Sequence, residues 1–145
     1  MSFLSILKDK SLLQGTAYVE LMPGKYKGTC WKQGSLFLDE ETFGFFEDII
    51  SKQIPEYDHY AFTEVSTSRW KAIIARLKSF AAELRAAREP TDLPGDIYYF
   101  MRDTELRFMA DFSRNVRHLE EVASELAKWL EAESKKHEAI TILGL

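Results

Sequence analysis

A chain of 145 residues with 46% hydrophobic and 29% charged residues can bury one sizeable core, which excludes a largely disordered protein. Its net charge of −4 argues against a chain drawn to nucleic acid by overall charge, because the phosphate backbone repels an acidic protein. No stretch of 18 apolar residues lacks a charge, and the one cysteine cannot form an internal disulfide, so neither a membrane span nor an oxidising compartment is indicated. We therefore expect a single cytoplasmic domain over residues 1–145.

The first third of the chain carries strand signals and then a helix signal. The segment TAYVELM ends at a Pro-Gly pair, which is typical of a strand followed by a turn, and two glycines divide the aromatic segment that follows it. Asp39 can cap a helix, and Pro55 ends it. The apolar residues between them fall within one sector of that helix: Phe43, Phe46, Ile50 and Ile54.

The rest of the chain is mainly helical. The segment YDHYAFTEV alternates as a strand does, and Ser66 or Ser68 can cap the helix after it. The apolar stripe of that helix is Trp70, Ile73, Ile74, Leu77, Ala81 and Leu84. From Asp103 onwards apolar residues recur at threes and fours, which favours one helix of roughly 30 residues. Alternation by twos leaves open a hairpin over 97–112 and a shorter helix that begins near Ser113.

Together these elements predict an α+β domain in which helices pack on a mixed or antiparallel sheet. The predicted strands lie near 16–22, 26–38, 57–65 and 139–144. The predicted helices span 40–53, 67–88 and about 103–134. The short tail AITILGL is apolar and β-branched, so we expect it to be a last strand inserted into the sheet.

No catalytic or nucleotide-binding motif is present in the sequence. It contains no GxxxxGK[ST], GxGxxG, GxSxG, HExxH or CxxC pattern, so we predict no catalytic residue, no metal ligand and no cofactor. His118 and Glu121 have a spacing that can share a metal, but a solvated helix face is the preferred explanation, because a di-iron type site needs further inward carboxylates. Catalytic groups can also meet only in the fold, which keeps a small enzyme built on His59, His118 and carboxylates as an alternative.

The helix signal over 66–88 is basic, with six bases and one acid. This could be a phosphate-binding footprint, which would make the chain a nucleic-acid-binding module. The simpler interpretation is that the basic helix pairs with acids of the C-terminal helix. Those acids are Glu120, Glu121, Glu125, Glu131 and Glu133.

The stretch FLDEETFGFFEDII sets phenylalanines among carboxylates. Phe45 points away from the main apolar sector and lies beside acids, so it either tucks under a neighbouring segment or anchors a docking surface. On the second interpretation, Phe45→Ala would weaken partner binding and leave the melting temperature nearly unchanged. The predicted partner-binding residues are Glu41, Phe45, Asp48, Glu56 and Asp58. The segment from Tyr98 to Phe100 supplies other candidate exposed aromatics.

Three segments, FLDEETFGFFEDII, YDHYAFTEVSTSRWKAII and AITILGL, resemble bacterial immunity proteins that neutralise toxins of contact-dependent or polymorphic toxin systems. The resemblance implies a protein-binding inhibitor that takes part in bacterial competition. Its partner would be a cognate toxin domain, often a nuclease, whose active site or substrate channel it blocks. No cofactor, membrane or direct nucleic-acid contact is implied, and the resemblance assigns no role to any residue.

Overall fold

Residues 3–15 and 17–144, which the computed structural model describes, form five strands and five α-helices. The strands are β1 Ile6–Leu7, β2 Tyr18–Pro23, β3 Leu36–Asp39, β4 Phe62–Ser66 and β5 Ala139–Leu143. The helices are α1 Glu40–Gly44, α2 Glu47–Gln53, α3 Thr67–Ala86, α4 Arg102–Ala110 and α5 Phe112–Ser134, and 3-10 helices span Lys10–Leu12 and Pro90–Asp92. The strands pair antiparallel in the order β1-β3-β2-β5-β4, so the α+β prediction is confirmed with the antiparallel form of the sheet.

One face of the sheet packs against the helices. Leu21 of β2 lies opposite Leu36 of β3 on one side and Ile142 of β5 on the other, and all three side chains belong to the main core. The indole N–H of Trp70 on α3 donates to the carbonyl oxygen of Ile140 at 3.1 Å, which ties helix to strand. The predicted C-terminal strand is therefore confirmed, and it lies between β2 and β4 with every residue buried.

The apolar stripe predicted for the basic helix is buried along α3. Each of its six residues is at most 6% exposed, because α3 packs against both the sheet and α5. The helix ends two residues before its predicted end, since Ala87 is already extended. No helix in the described parts of the chain is both long enough and apolar enough to cross a bilayer.

The predicted helix over about 103–134 is two helices, α4 and α5. Of the alternative, the hairpin over 97–112 is wrong, but the shorter helix expected near Ser113 is present as α5, which begins at Phe112. The helical conformation is interrupted at Asp111, whose φ of −138° and ψ of 60° are not helical. The side-chain amide of Asn115 donates to the carbonyl oxygens of Arg107 and Phe108 at 3.0 and 3.1 Å. Asn115 thus satisfies two of the last four carbonyls of α4, and this capping stabilises the break.

The predicted helix over 40–53 is also broken, into α1 and α2. Asp39 caps α1 as expected, since its carboxylate accepts from the N–H of Thr42 at 2.8 Å. The backbone N–H groups of Phe45 and Phe46 then bond to carbonyls three residues back, which tightens the turn. Gly44 lies against Phe100 so closely that an added Cβ would stand 2.8 Å from the Cβ of that residue.

Two predicted strands are too long. Only Leu36–Asp39 of the strand near 26–38 is extended in the sheet, and residues 25–35 form a loop over the opposite sheet face. The strand near 57–65 begins at Phe62, because residues 57–61 turn across α1 and α2. The predicted start of the first strand at Thr16 lies outside the described residues. The sequence did not predict β1, which is only two residues long.

Candidate functional site

His59 lies between two carboxylates where the loop before β4 crosses α1 and α2. Its Nδ1 is 2.7 and 2.8 Å from the two carboxylate oxygens of Glu47, and its Nε2 is 2.7 Å from Oε2 of Glu40. Since each ring nitrogen faces an acceptor, the imidazolium form can donate a hydrogen bond on both sides. The arrangement therefore favours the charged form of His59.

The break between α1 and α2 allows Glu40 and Glu47 to reach the same histidine ring. Glu40 and Glu47 each lie in the first turn of their helix, where the helix dipole favours negative charge. In one continuous helix their seven-residue separation would place them about 10 Å apart along the axis. Two short helices instead bring both carboxylates to one imidazole.

Aromatic side chains enclose the histidine. The ring of Phe100 stacks on His59 with centroids 4.9 Å apart and planes 15° apart, and Tyr60 makes an edge contact at 4.7 Å. The hydroxyl of Tyr57 donates to Oε2 of Glu47 at 2.8 Å. Burial raises the pKa of Tyr57 above its ordinary value, and the Glu47 carboxylate raises that pKa further. Tyr57 is therefore a neutral donor that helps to fix Glu47.

The His59 cluster predicts a pH dependence of folding. Burial alone lowers the pKa of His59, but the hydrogen bonds to Glu40 and Glu47 outweigh burial, so the pKa lies above its ordinary value of 6.5. Because the folded protein binds this proton more tightly than the unfolded chain, the stabilisation is complete below pH 6.5 and is lost as the pH rises through the raised pKa.

We therefore expect the free energy of unfolding of the unaltered chain to fall relative to that of His59→Gln as the pH rises from 6 to 9. Urea unfolding of both proteins at each pH measures this difference. If the stability of the unaltered chain relative to His59→Gln stays constant, or increases as the pH rises, the assignment of a charged His59 is contradicted.

A surface cavity of about 360 Å³ opens beside this cluster. Its lining includes Glu47, Asp48, Tyr57, His59, Tyr60 and Tyr98. Tyr60 is 68% exposed and Tyr98 is 43% exposed, so both phenol rings stand at the rim in contact with solvent. We call the cavity and this rim the His59 cavity. It combines carboxylates, a fixed cation and exposed aromatic rings.

The prediction that Phe45 anchors an exposed docking surface is wrong. Its side chain is fully buried, with ring centroids of Phe108 at 5.3 Å, Tyr99 at 5.6 Å and Phe3 at 6.5 Å. The flank that faces the acids in a regular helix is covered here by α4 and by the segment before it. The alternative, that Phe45 tucks under a neighbouring segment, is the one the structure bears out.

Two of the predicted acids have partners within the chain. Glu41 accepts from the hydroxyl of Thr104 at 2.8 Å and pairs with Arg107 at 3.1 Å, which ties α1 to α4. Glu56 pairs with Arg69, and this hydrogen bond lowers the pKa of Glu56 to about 2. Their charges are therefore partly neutralised within the molecule.

The other two predicted acids lie at or beside the His59 cavity. Asp48 lines it, and Asp58 is exposed and accepts from the backbone N–H of Tyr60 at 2.8 Å. The sequence did not single out Tyr60, although it marked Tyr98 as a candidate exposed aromatic. A tyrosine that directly follows a histidine in a segment rich in carboxylates was the available signal.

The basic helix is largely paired within the molecule. Lys78 lies 2.8 Å from Glu131, and Arg85 lies 3.5 Å from Glu120, so the predicted pairing with the C-terminal helix is confirmed for these two. Arg76 pairs with Asp96 at 2.6 Å. This hydrogen bond raises the pKa of Arg76 and holds the pKa of Asp96 below its usual range.

The histidines do not converge on one cleft. His118 lies on α5 and is not among the residues that line the His59 cavity. Over residues 3–15 and 17–144, no group of three or more His, Cys, Asp and Glu side chains is arranged to hold a metal ion. Comparison of the chain with family models, with curated proteins and with solved structures found no match.

Proposed function

We propose that this chain is a protein-binding inhibitor of the immunity-protein type, which acts in the cytoplasm and blocks a cognate bacterial toxin, most simply a nuclease. The surface that binds the toxin is the His59 cavity. One observation carries the proposal: carboxylates and exposed tyrosines share a cavity whose inner groups are fixed by hydrogen bonds.

Charge supports a basic partner. The positive charge of His59 is more than balanced by Glu40 and Glu47, and Asp48 and Asp58 add negative charge at the rim. A nuclease needs a basic cleft because it binds a phosphate backbone. Carboxylates that meet such a cleft speed association and set specificity.

The tyrosines supply the apolar part of the contact. Tyr60 and Tyr98 present large rings with few rotatable bonds, and tyrosine is enriched among the residues that carry most of the binding energy at interfaces. Tyr57, His59 and Glu47 are already ordered by their mutual hydrogen bonds, so binding orders few further groups. A lysine or arginine side chain of the partner could enter between the rings.

The same hydrogen bonds make acid–base catalysis by His59 the weaker alternative. A general base needs a nitrogen lone pair directed at the proton that it removes. Both ring nitrogens of His59 face carboxylates of the same molecule. We therefore assign His59 to positioning the cavity wall.

The function is tested by capture followed by inhibition. The tag belongs at the N-terminus, because Gly144 packs against the backbone carbonyls of His59 and Ala61. A protein recovered with the chain from its source cells is purified, and its nuclease activity is titrated with the chain. We expect the activity to stop at one chain per partner. A partner whose activity is unchanged at a large excess of the chain would contradict inhibition.

A further inference from the structure

A second cavity, of about 240 Å³, lies between the end of α3 and the start of α5. It shares no lining residue with the His59 cavity. Three arginines line it, Arg85 and Arg88 from the α3 side and Arg117 from α5. We call this cavity the arginine cleft.

The arginine cleft carries an excess of positive charge. Arg85 is paired with Glu120 at 3.5 Å, and Glu120 is the one acid among the lining residues. Arg88 and Arg117 form no ion pair with the described part of the chain. The guanidinium of Arg88 donates only to the carbonyl oxygens of Arg85 and Ala87, at 3.1 and 3.2 Å, while its backbone N–H donates to Asp92 at 3.0 Å. Guanidinium groups on two elements thus keep donors for a planar or tetrahedral oxyanion.

The start of α5 adds to this preference. Ser113 lines the cleft in the first turn of α5, and no side chain in the described residues caps that turn. The backbone N–H groups in the first turn of α5 therefore place the partial positive charge of a 23-residue helix at its N-terminus, beside the cleft. This contribution is independent of the arginines, because it comes from the backbone.

The remaining lining is apolar. Leu84 is 2% exposed and Val116 is 6% exposed, and the half-buried ring of Phe112 lies beside them. Leu84 and Val116 therefore form a closed floor, and the ring of Phe112 is the apolar surface that stays accessible. A hydrated inorganic ion gains nothing from this ring, whereas a ligand with an apolar group buries area against it. The volume is below the roughly 300–1,000 Å³ of most ligand pockets, so the apolar group is small.

We infer that the arginine cleft binds a small phosphate monoester that carries one ring or a short alkyl chain. Three guanidiniums against one carboxylate leave two positive charges, and a phosphate monoester carries a charge of about −1.5 to −2 at neutral pH. A carboxylate would match only half of this charge. The site does not depend on the proposed toxin partner.

The test is a titration with phenyl phosphate at low salt, followed by NMR or calorimetry on the full chain. We expect saturable binding that weakens as salt is added. Arg117→Gln should weaken it by about tenfold, because a hydrogen bond to a charged group is lost. Arg114→Gln is the matched control, since Arg114 pairs with Asp111 at 3.7 Å and does not line the cleft.

Arg117 is exposed and forms no ion pair with the residues that the structure describes, so Arg117→Gln should fold normally, and thermal unfolding verifies this. Absence of binding at millimolar phenyl phosphate would overturn the inference. Equal losses in Arg117→Gln and Arg114→Gln would overturn it too, because they would indicate general charge attraction. Inorganic phosphate or benzoate that binds as tightly as phenyl phosphate would overturn the assignment to a phosphate monoester with an apolar group.

Discussion

Phe45→Ala is expected to destabilise the fold by about 3–5 kcal/mol, because it opens a cavity in the core. The side chain is fully buried, and the rings of Phe108, Tyr99 and Phe3 surround it. Such aromatic pairs contribute beyond the area that they bury. Equilibrium unfolding in urea measures the loss.

Tyr60→Ala is the control for Phe45→Ala. It also removes an aromatic ring, but from a position that is 68% exposed, so we expect a much smaller change in the free energy of unfolding. If Phe45→Ala lowers the free energy of unfolding by less than about 1 kcal/mol, the ring is not buried and lies at the surface.

Glu20→Ala is the second substitution with a large expected effect, at least about 3 kcal/mol, because it leaves three donors without their acceptor. Glu20 lies on β2 and is 2% exposed. Its carboxylate accepts from the backbone N–H groups of Trp31 and Lys32 at 2.7 and 3.0 Å and from the hydroxyl of Ser35 at 2.7 Å. It thereby holds the loop that covers the far face of the sheet.

Trp31 gives this prediction a second readout. Its φ of 59° is left-handed, a conformation that a tryptophan adopts at a cost, and its ring stacks on Phe37 at 5.8 Å. Without the Glu20 carboxylate we expect the loop to loosen and the tryptophan fluorescence to shift to the red. Glu64→Ala removes an exposed glutamate from β4 and should change neither quantity. Equal stability in Glu20→Ala and Glu64→Ala would contradict the account of the loop.

The sequence predicted best those structural features that depend on residues close together along the chain. The stripe from Trp70 to Leu84 has a helical period over many turns, so its burial along α3 could be inferred. Asp39 could be identified as a cap because its acceptor role requires only the next three residues. The tail was predicted as a strand because an apolar, β-branched segment of that length needs a sheet to cover it.

Phe45 shows what the sequence could not supply. Its ring contacts Phe3, Tyr99 and Phe108, which are far away along the chain. The periodicity of residues 40–53 cannot predict these contacts. The break after Gly44 depends in the same way on a tertiary contact, with Phe100. The break at Asp111 is stabilised locally, by hydrogen bonds from the amide of Asn115 to the carbonyl oxygens of Arg107 and Phe108. Sequence spacing alone favours the continuous helix in both places.

The structure brings only some of the predicted partner-binding residues to one surface, for the same reason. Asp48 and Asp58 lie at or beside the His59 cavity, but Glu41 and Glu56 are held by Arg107 and Arg69, which are distant in sequence. A count of acids in one segment cannot tell paired carboxylates from unpaired ones. The resemblance to immunity proteins indicated a class of partner, and the geometry supplies the surface that we propose for it.

The affinity of the captured partner for Asp48→Lys, compared with Glu121→Lys, tests the central claim most directly. Both substitutions reverse one charge, but Asp48 lines the His59 cavity and Glu121 is exposed on α5. We predict that Asp48→Lys weakens binding by at least about tenfold while the chain stays folded, with only a small loss of thermal stability because Asp48 lies in the first turn of α2. Glu121→Lys should bind as the unaltered chain does. If both variants bind equally well, the His59 cavity is not the recognition surface.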